Sequence, residues 1–259
     1  MCIRDRRYEP SVDLATGRVV DLEVIPYWHS PVYGPVPLTD VEHASNTNFI
    51  ESLAVWGFGA AGSHLSQWRA EYASYSCLEI SSQVCGPMLN SAGLLSDLAG
   101  QLERHSLRAK AFTAQIDTEM LTTDTDSARA TCNALKEAGF NIALSDFDGG
   151  IDMVATAKSL PIRTIRLSKE FTEKVGRMQV DASLSRSVIG LAKSMNLRVI
   201  ATGVRTARQL TRLRSFGCDI AQGELFAGPL SAEEISPLLR QRAVFYQLVD
   251  SMNDLPGGF

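Results

Sequence analysis

The chain has little with which to staple itself or to hold a soft metal. Its five cysteines, at positions 2, 77, 85, 132 and 218, are odd in number, scattered, and form no CxxC pair. That excludes a disulfide framework and a structural zinc site, and it fits reduced thiols in a cytoplasmic protein. The four histidines (29, 43, 64 and 105) fall on unrelated segments with no ligand spacing, and read as surface or packing residues. No apolar run approaches the length of a membrane span, and residues 1–7 (MCIRDRR) carry no hydrophobic signal core. Positive charge is not in excess either. Twenty-five basic against 29 acidic residues leave a net charge of −4, which argues against nucleic-acid binding that depends on neutralising phosphates. With no low-complexity linker and no repeat, a single domain is the economical reading.

At 259 residues and 45% hydrophobic, the chain can bury one large core. Residues 1–7 are expected to be a frayed or non-native end, 8–249 the domain, and 250–259 a loose tail. Residues 8–14 and 18–28 are extended patterns around Ala15, Thr16 and Gly17, which predicts an antiparallel hairpin. Pro26, Pro31, Pro35 and Pro37 mark a loop. Helical spacing runs from 39 to about 72, with Phe49, Leu53, Trp56, Leu65 and Trp68 as core positions. Beyond it the pattern alternates. Strands are expected at 76–81, 111–116, 141–144, 164–167, 197–201 and 219–221, and helices at 88–105, 125–138, 153–160, 182–195, 207–216 and 232–249. Seven or eight strands in such alternation favour a closed β/α barrel over an open sheet.

Residues 141–150 (NIALSDFDGG) are the centre of the pattern: a buried strand that opens into an acidic, glycine-rich turn. Parallel α/β folds gather their chemistry at strand C-termini, so Ser145, Asp146 and Asp148 point to a site there. Gly149 and Gly150 read as a plain turn. Residues 57–62 (GFGAAG) match the GxGxxG dinucleotide fingerprint, which requires a strand before its first glycine. The spacing before Gly57 is helical instead, so a small-residue face between close-packed helices is favoured.

With the strand ends laid out, residues 8–230 resemble an EAL domain, the bacterial cyclic di-GMP phosphodiesterase fold. The pieces that carry the resemblance are YEPSVDLATGRVVDLEVIPYW, LSQWRAEY, LKEAGFNIALSDFDGG, VIATGVRTARQL and CDIAQGELFAGPL. It implies a modified TIM-type (β/α)8 barrel with an antiparallel first strand pair, in agreement with the hairpin. Family members often carry sensory or cyclase domains upstream. The family's chemistry is metal-assisted hydrolysis of the cyclic dinucleotide to linear pGpG, with two divalent cations held by carboxylates.

Position by position, the expected pocket departs from the family pattern. In E-A-L-x-R, Glu23 stays but the phosphate-gripping arginine is Tyr27, and the glutamine of Y-Q-P is Glu9. The asparagine ligand of the second strand falls on Glu79. The glutamates of E-I-T-E are Gln115 and Thr118, and the paired aspartates are Ser145 and Asp146. The lysine of the fifth strand is Arg166, and the E-G-V-E glutamates are Thr202 and Arg205. Ser45 stands where the nucleotide-facing loop usually has a glutamate. Five of seven family carboxylates are thus gone, and two dications in a confined pocket repel each other without ligand charge to offset them.

The expectation is therefore a catalytically degenerate EAL-like domain with no catalytic residue, acting as a regulatory or protein-interaction module in cyclic di-GMP-type signalling. The alternatives are a cyclic di-GMP receptor that does not cut, with Arg166 and Arg205 holding phosphates, and a weak or repurposed hydrolase. No cofactor is expected. Mg²⁺ or Mn²⁺ on Glu23, Glu79 and Asp146 belongs only to the last alternative. A protein partner or self-association is expected, with the apolar segment 243–249 (AVFYQLV) as one candidate face. Glu23 and Asp146 are expected to pair with Arg166 or Arg205 across the barrel mouth, and Glu224 to be exposed.

Overall fold

The structure, a computed structural model, describes residues 3–30, 32, 34–37, 47–84, 93–176, 179–241 and 243–250. Its first two strands run to 11 and 12 residues, and the barrel strands from position 79 onward are short, 3 to 7 residues. The strands are β1 (Ile3–Asp13), β2 (Val19–Ser30), β3 (Gly34–Pro37), β4 (Glu79–Gln83), β5 (Phe112–Asp117), β6 (Asn141–Phe147), β7 (Thr164–Leu167), β8 (Arg198–Ala201) and β9 (Ile220–Gln222). The helices are α1 (Thr47–Glu71), α2 (Leu94–Arg104), α3 (Thr118–Thr123), α4 (Thr125–Glu137), α5 (Ile151–Ser159), α6 (Lys169–Gly176), α7 (Gln179–Ser194), α8 (Ala207–Ser215), α9 (Ala232–Arg240) and α10 (Tyr246–Asp250).

The sheet order β1-β9-β8-β7-β6-β5-β4-β2 closes through the β1–β2 pairing, and β3 hangs on β2 outside the ring. Eight strands thus form the barrel, with β1 antiparallel to both of its neighbours and the remaining pairs parallel. This is the expected TIM-type barrel with a reversed first strand. Leu65 and Trp68 of α1 are buried against it, and the ring of Trp68 lies edge-on to Tyr8.

Several elements differ from the sequence reading. Residues 3–7, expected to fray, extend β1, with Ile3 opposite His29 and Arg7 opposite Ile25. The proline-rich loop holds an edge strand: Tyr27 pairs with Pro37 and His29 with Pro35, and an edge tolerates residues that cannot donate outward. The helices α3 and α6 were not anticipated. The single closing helix is two, α9 and α10, because Gln241 turns extended after Arg240. Position 250 ends α10, and 251–259 lie outside the described residues, as do 1–2. No described helix is long and apolar enough to cross a membrane.

The GxGxxG segment lies inside α1, as its helical spacing indicates. A Cβ at Gly57 would stand 2.9 Å from Pro26 Cγ on β2, and one at Gly62 would stand 3.0 Å from His105 Cδ2. These glycines let α1 approach the barrel and the end of α2 closely, and no strand leads into them.

Candidate functional site

Strand C-termini converge on a cavity of about 370 Å³ at the barrel mouth. Glu9, Glu23, Tyr27, Gln115, Ser145, Asp146, Arg166, Thr202 and Arg205 all line it. Two residues expected there do not. Glu79 pairs with Asp21, a full side-chain repeat below Glu23, and it is Ser81 that stands across from Glu23. Burial raises the Glu79 carboxyl, while Arg198 and Arg69 oppose the shift. Thr118 begins α3 instead of continuing β5, because the Asp117 side chain caps that helix by accepting from Met120 N at 2.6 Å. Ser45 lies outside the described residues.

The centre of the site is Arg166, a guanidinium only 2% exposed. Its Nη2 donates to Glu23 Oε2 at 2.7 Å and also to Gln222 Oε1. Its Nη1 lies 3.6 Å from Asp21 Oδ2. Gln222 Nε2 donates to the same Glu23 oxygen at 2.7 Å, and Ser81 Oγ donates to Asp21 Oδ2 at 2.8 Å. A buried arginine needs such partners, and its planar fork reaches several oxygens at once. The expected Glu23–Arg166 pairing is present. Arg205 departs from expectation: it is half exposed and pairs at the rim with Glu173 at 3.3 Å and Glu224 at 3.4 Å, leaving Asp146 to neither arginine. Glu224 is exposed, as anticipated.

Asp146 reaches the mouth by an irregularity. The β6–β7 register shifts between Leu144 and Phe147, and Asp146 adopts φ +51°, a left-handed conformation that aspartate tolerates better than most residues. Ser145 and Asp146, adjacent in sequence, therefore both line the cavity, which a regular strand would forbid. Thr118 Oγ1 donates to the Asp146 carbonyl at 3.2 Å and holds this bulge. Loss of water raises the Asp146 carboxyl, and Glu23 and Asp117 add to the shift.

Burial, followed by the charge of Glu23, pushes Glu9 up to about 7. Burial also pushes Asp21 up to about 7, against the pull of Arg166 and the Ser81 hydrogen bond. Tyr27, in place of the family arginine, has the Arg7 guanidinium over its ring at 5.9 Å. Asp21, Lys169 and Gln222 escaped the sequence reading. Asp21 carried a usable signal, since it lies two residues before Glu23 and so shares its face. Lys169, the first residue of α6, arrives only through packing: a Cβ on Gly203 would stand 2.7 Å from its Cγ. Among the described residues, no three His, Cys, Asp or Glu side chains converge as a metal cradle.

This mouth can be set beside known proteins. The profile of the EAL domain matches residues 5–229. The chain belongs to the EAL domain family. This EAL domain is 30% identical over 236 residues, 91% of its length, to the uncharacterized protein Rv1354c of Mycobacterium tuberculosis, of which it covers 38%. It is 28% identical over 235 residues to the cyclic di-GMP phosphodiesterase PA2567 of Pseudomonas aeruginosa, covering 90% of the chain and 40% of that relative. It thus spans well under half of these relatives' length. Among solved structures, the PaMucR phosphodiesterase in complex with c-di-GMP superposes with a TM-score of 0.81 at 23% identity, over 90% of this chain and 94% of that one. The EAL domain of Mycobacterium smegmatis DcpA superposes with a TM-score of 0.73 at 25% identity, over 91% and 95%.

Proposed function

We propose that this EAL domain is a non-hydrolysing regulatory module of cyclic di-GMP-type signalling that acts through contacts with protein. The observation that carries this reading is the seat of Arg166. The guanidinium takes the Glu23 carboxylate, which the resemblance makes a metal ligand, and Gln222 takes the same oxygen. A divalent cation on that oxygen would sit within a few ångströms of a fixed positive charge in a partly dry site, where repulsion is strong. The opposite wall offers one carboxylate, Asp146. Gln115 and Ser145 beside it are neutral, so their oxygens could reach a hard cation but add no negative charge to offset a pair of them. The donor set does not fit a pair of dications. The signalling circuit itself is supported by family membership and by a relative named as a cyclic di-GMP phosphodiesterase.

The deciding experiment incubates the protein with cyclic di-GMP and Mn²⁺ or Mg²⁺ and follows linear pGpG by chromatography, with an active phosphodiesterase as the control. No product above the metal-only blank is expected. Steady formation of pGpG that scales with protein concentration overturns the reading.

A further inference from the structure

We propose that the outer face of α8, with the cations that α6 and α7 place beside it, is a docking ridge for an acidic helical segment of a partner protein. This rests on the reading above and names the surface through which such a module would act. The sequence of α8 (ARQLTRLRS) holds three arginines and no acid. Arg208 is badly placed for the helix itself. As the second residue it sets a positive charge at the positive end of the helix dipole, and it stands one turn from the like charge of Arg212. Nor does packing account for it, since Arg208 is exposed, away from the buried Leu210 and Leu213. A charge that neither the helix nor the core uses is available to a partner.

Packing gathers further positive charge along the same stripe. The end of α6 lies against the first turn of α8, where a Cβ on Gly176 would stand 3.1 Å from Gln209 Cγ. Arg212 Nη1 donates to the Val175 carbonyl at 2.7 Å, beside the exposed Lys174. One turn further on, the Arg186 guanidinium of α7 lies over the Phe216 ring, 5.1 Å from its centroid. Arg208, Arg212 and the Arg186–Phe216 stack thus follow one another at four-residue steps, about 6 Å apart along the axis. Their charge is not cancelled. The carbonyl that holds Arg212 and the ring that holds Arg186 carry no net charge. Among the described residues, none of Lys174, Arg186, Arg208 and Arg212 forms an ion pair. The neighbouring acids are engaged elsewhere. Glu173 is paired with Arg205 and Asp219 with Lys193, while Glu170 stands at the mouth end of α6, where its charge helps to raise the Asp146 carboxyl. The spacing selects the partner. Carboxylates at i and i+4 of a helix share that step, and arginines held by neutral groups are already oriented to fork them. A nucleic acid fits less well, because beyond the ridge its phosphates would meet a chain of net charge −4.

Fluorescence anisotropy on the whole chain tests this with three labelled probes: an alanine-based helical peptide bearing glutamates at four-residue intervals, its glutamine counterpart, and a short DNA duplex. At low salt the glutamate peptide should bind about tenfold or more tightly than the glutamine peptide, and added salt should shrink the difference. Arg208→Glu should weaken that binding about fivefold or more, and Lys174→Gln about twofold or more. Lys136→Glu makes the same change of charge on the exposed face of α4, and should leave binding within about twofold of the wild type. Arg208→Glu should keep or raise the melting temperature, because an acid suits the first turn of a helix, so binding lost there is not folding lost. No preference for the glutamate peptide, or equal weakening by Arg208→Glu and Lys136→Glu, makes the ridge an ordinary solvated face and overturns the proposal. Duplex binding that exceeds that of the glutamate peptide and falls in Arg208→Glu overturns it in favour of a nucleic-acid surface. Each of these failures leaves the absence of hydrolysis in place, which the pGpG assay decides by itself. Turnover in that assay overturns the non-hydrolysing reading and leaves any peptide binding at the ridge intact.

Discussion

Arg166 shows how one substitution reorganises its surroundings. The family lysine would offer a point charge, whereas the guanidinium bonds to Glu23 and Gln222 and lies beside Asp21. Breaking a buried pair from one side leaves the other charge uncompensated, so Arg166→Met should cost about 3–5 kcal/mol in urea unfolding. Adding Asp21→Asn should return part of that loss, because the two side chains are coupled. A single-variant cost below about 1 kcal/mol would show that the pair is not holding the barrel. Glu9 gives a second test, through pH. Its folded value of about 7 lies above the ordinary 4.5, so the folded state holds a proton that the unfolded chain releases. The associated stability is complete below about pH 4 and is lost as pH rises through about 7. Glu9→Gln should leave the melting temperature at pH 4 nearly unchanged and raise it at pH 8 by a few degrees, on the order of 1–3 kcal/mol. At this scale the Glu23–Arg166 pair was legible from charge alone. Arg205 was not, because a rim position lets a long side chain choose among carboxylates, and Glu173 and Glu224 lie nearer.

Elements were legible where period and length agreed, and misread where one residue changed the geometry. The strand β6 was clear from four successive buried residues, but its bulge was not, since nothing in SDFDG announces φ +51° at Asp146. Placing Thr118 in the pocket failed for the opposite reason: Asp117, the last residue of β5, caps α3, so Thr118 begins a helix. The Glu79 position failed by a two-residue offset, which parity cannot detect because both residues share a face. Gly57 is the clearest case of packing that resembles a ligand motif. Its Cα faces Pro26 on β2, a rigid ring that cannot swing aside, and a Cβ there would stand 2.9 Å from it. Gly57→Val should therefore cost about 1–3 kcal/mol in urea unfolding by pushing α1 off the barrel. The wild-type protein should not quench NADH fluorescence. Saturable quenching lost in the variant would instead restore the dinucleotide reading.

For the molecule as a whole, alternation of strands and helices with a reversed first strand sufficed for the barrel, because closure is a property of the whole pattern. The electrostatic state of its mouth was only half legible. Counting lost carboxylates showed a shortage of negative charge, yet that a buried cation of the chain's own takes up what remains depends on β2, β7 and β9 meeting at one point. The ring brings Asp21, Glu23, Arg166 and Gln222 together from those three strands, so Glu23 already has a cation of the chain's own as its partner. The consequence is global and measurable. A ligand that binds only the folded state stabilises it by about 2.7 kcal/mol at a hundred times its Kd, which for a domain of this size is roughly 5–10 °C in melting temperature. Manganese or magnesium at millimolar concentration should move the melting temperature of this protein by less than about 1 °C relative to EDTA, since an entering ion must first displace Arg166 from Glu23. Arg166→Met with Asp21→Asn clears that obstacle while keeping Glu23 and Asp146. If the wild type answers manganese with a rise of about 5 °C or more and the double variant does not, Arg166 helps the ion to bind and the argument from charge is wrong.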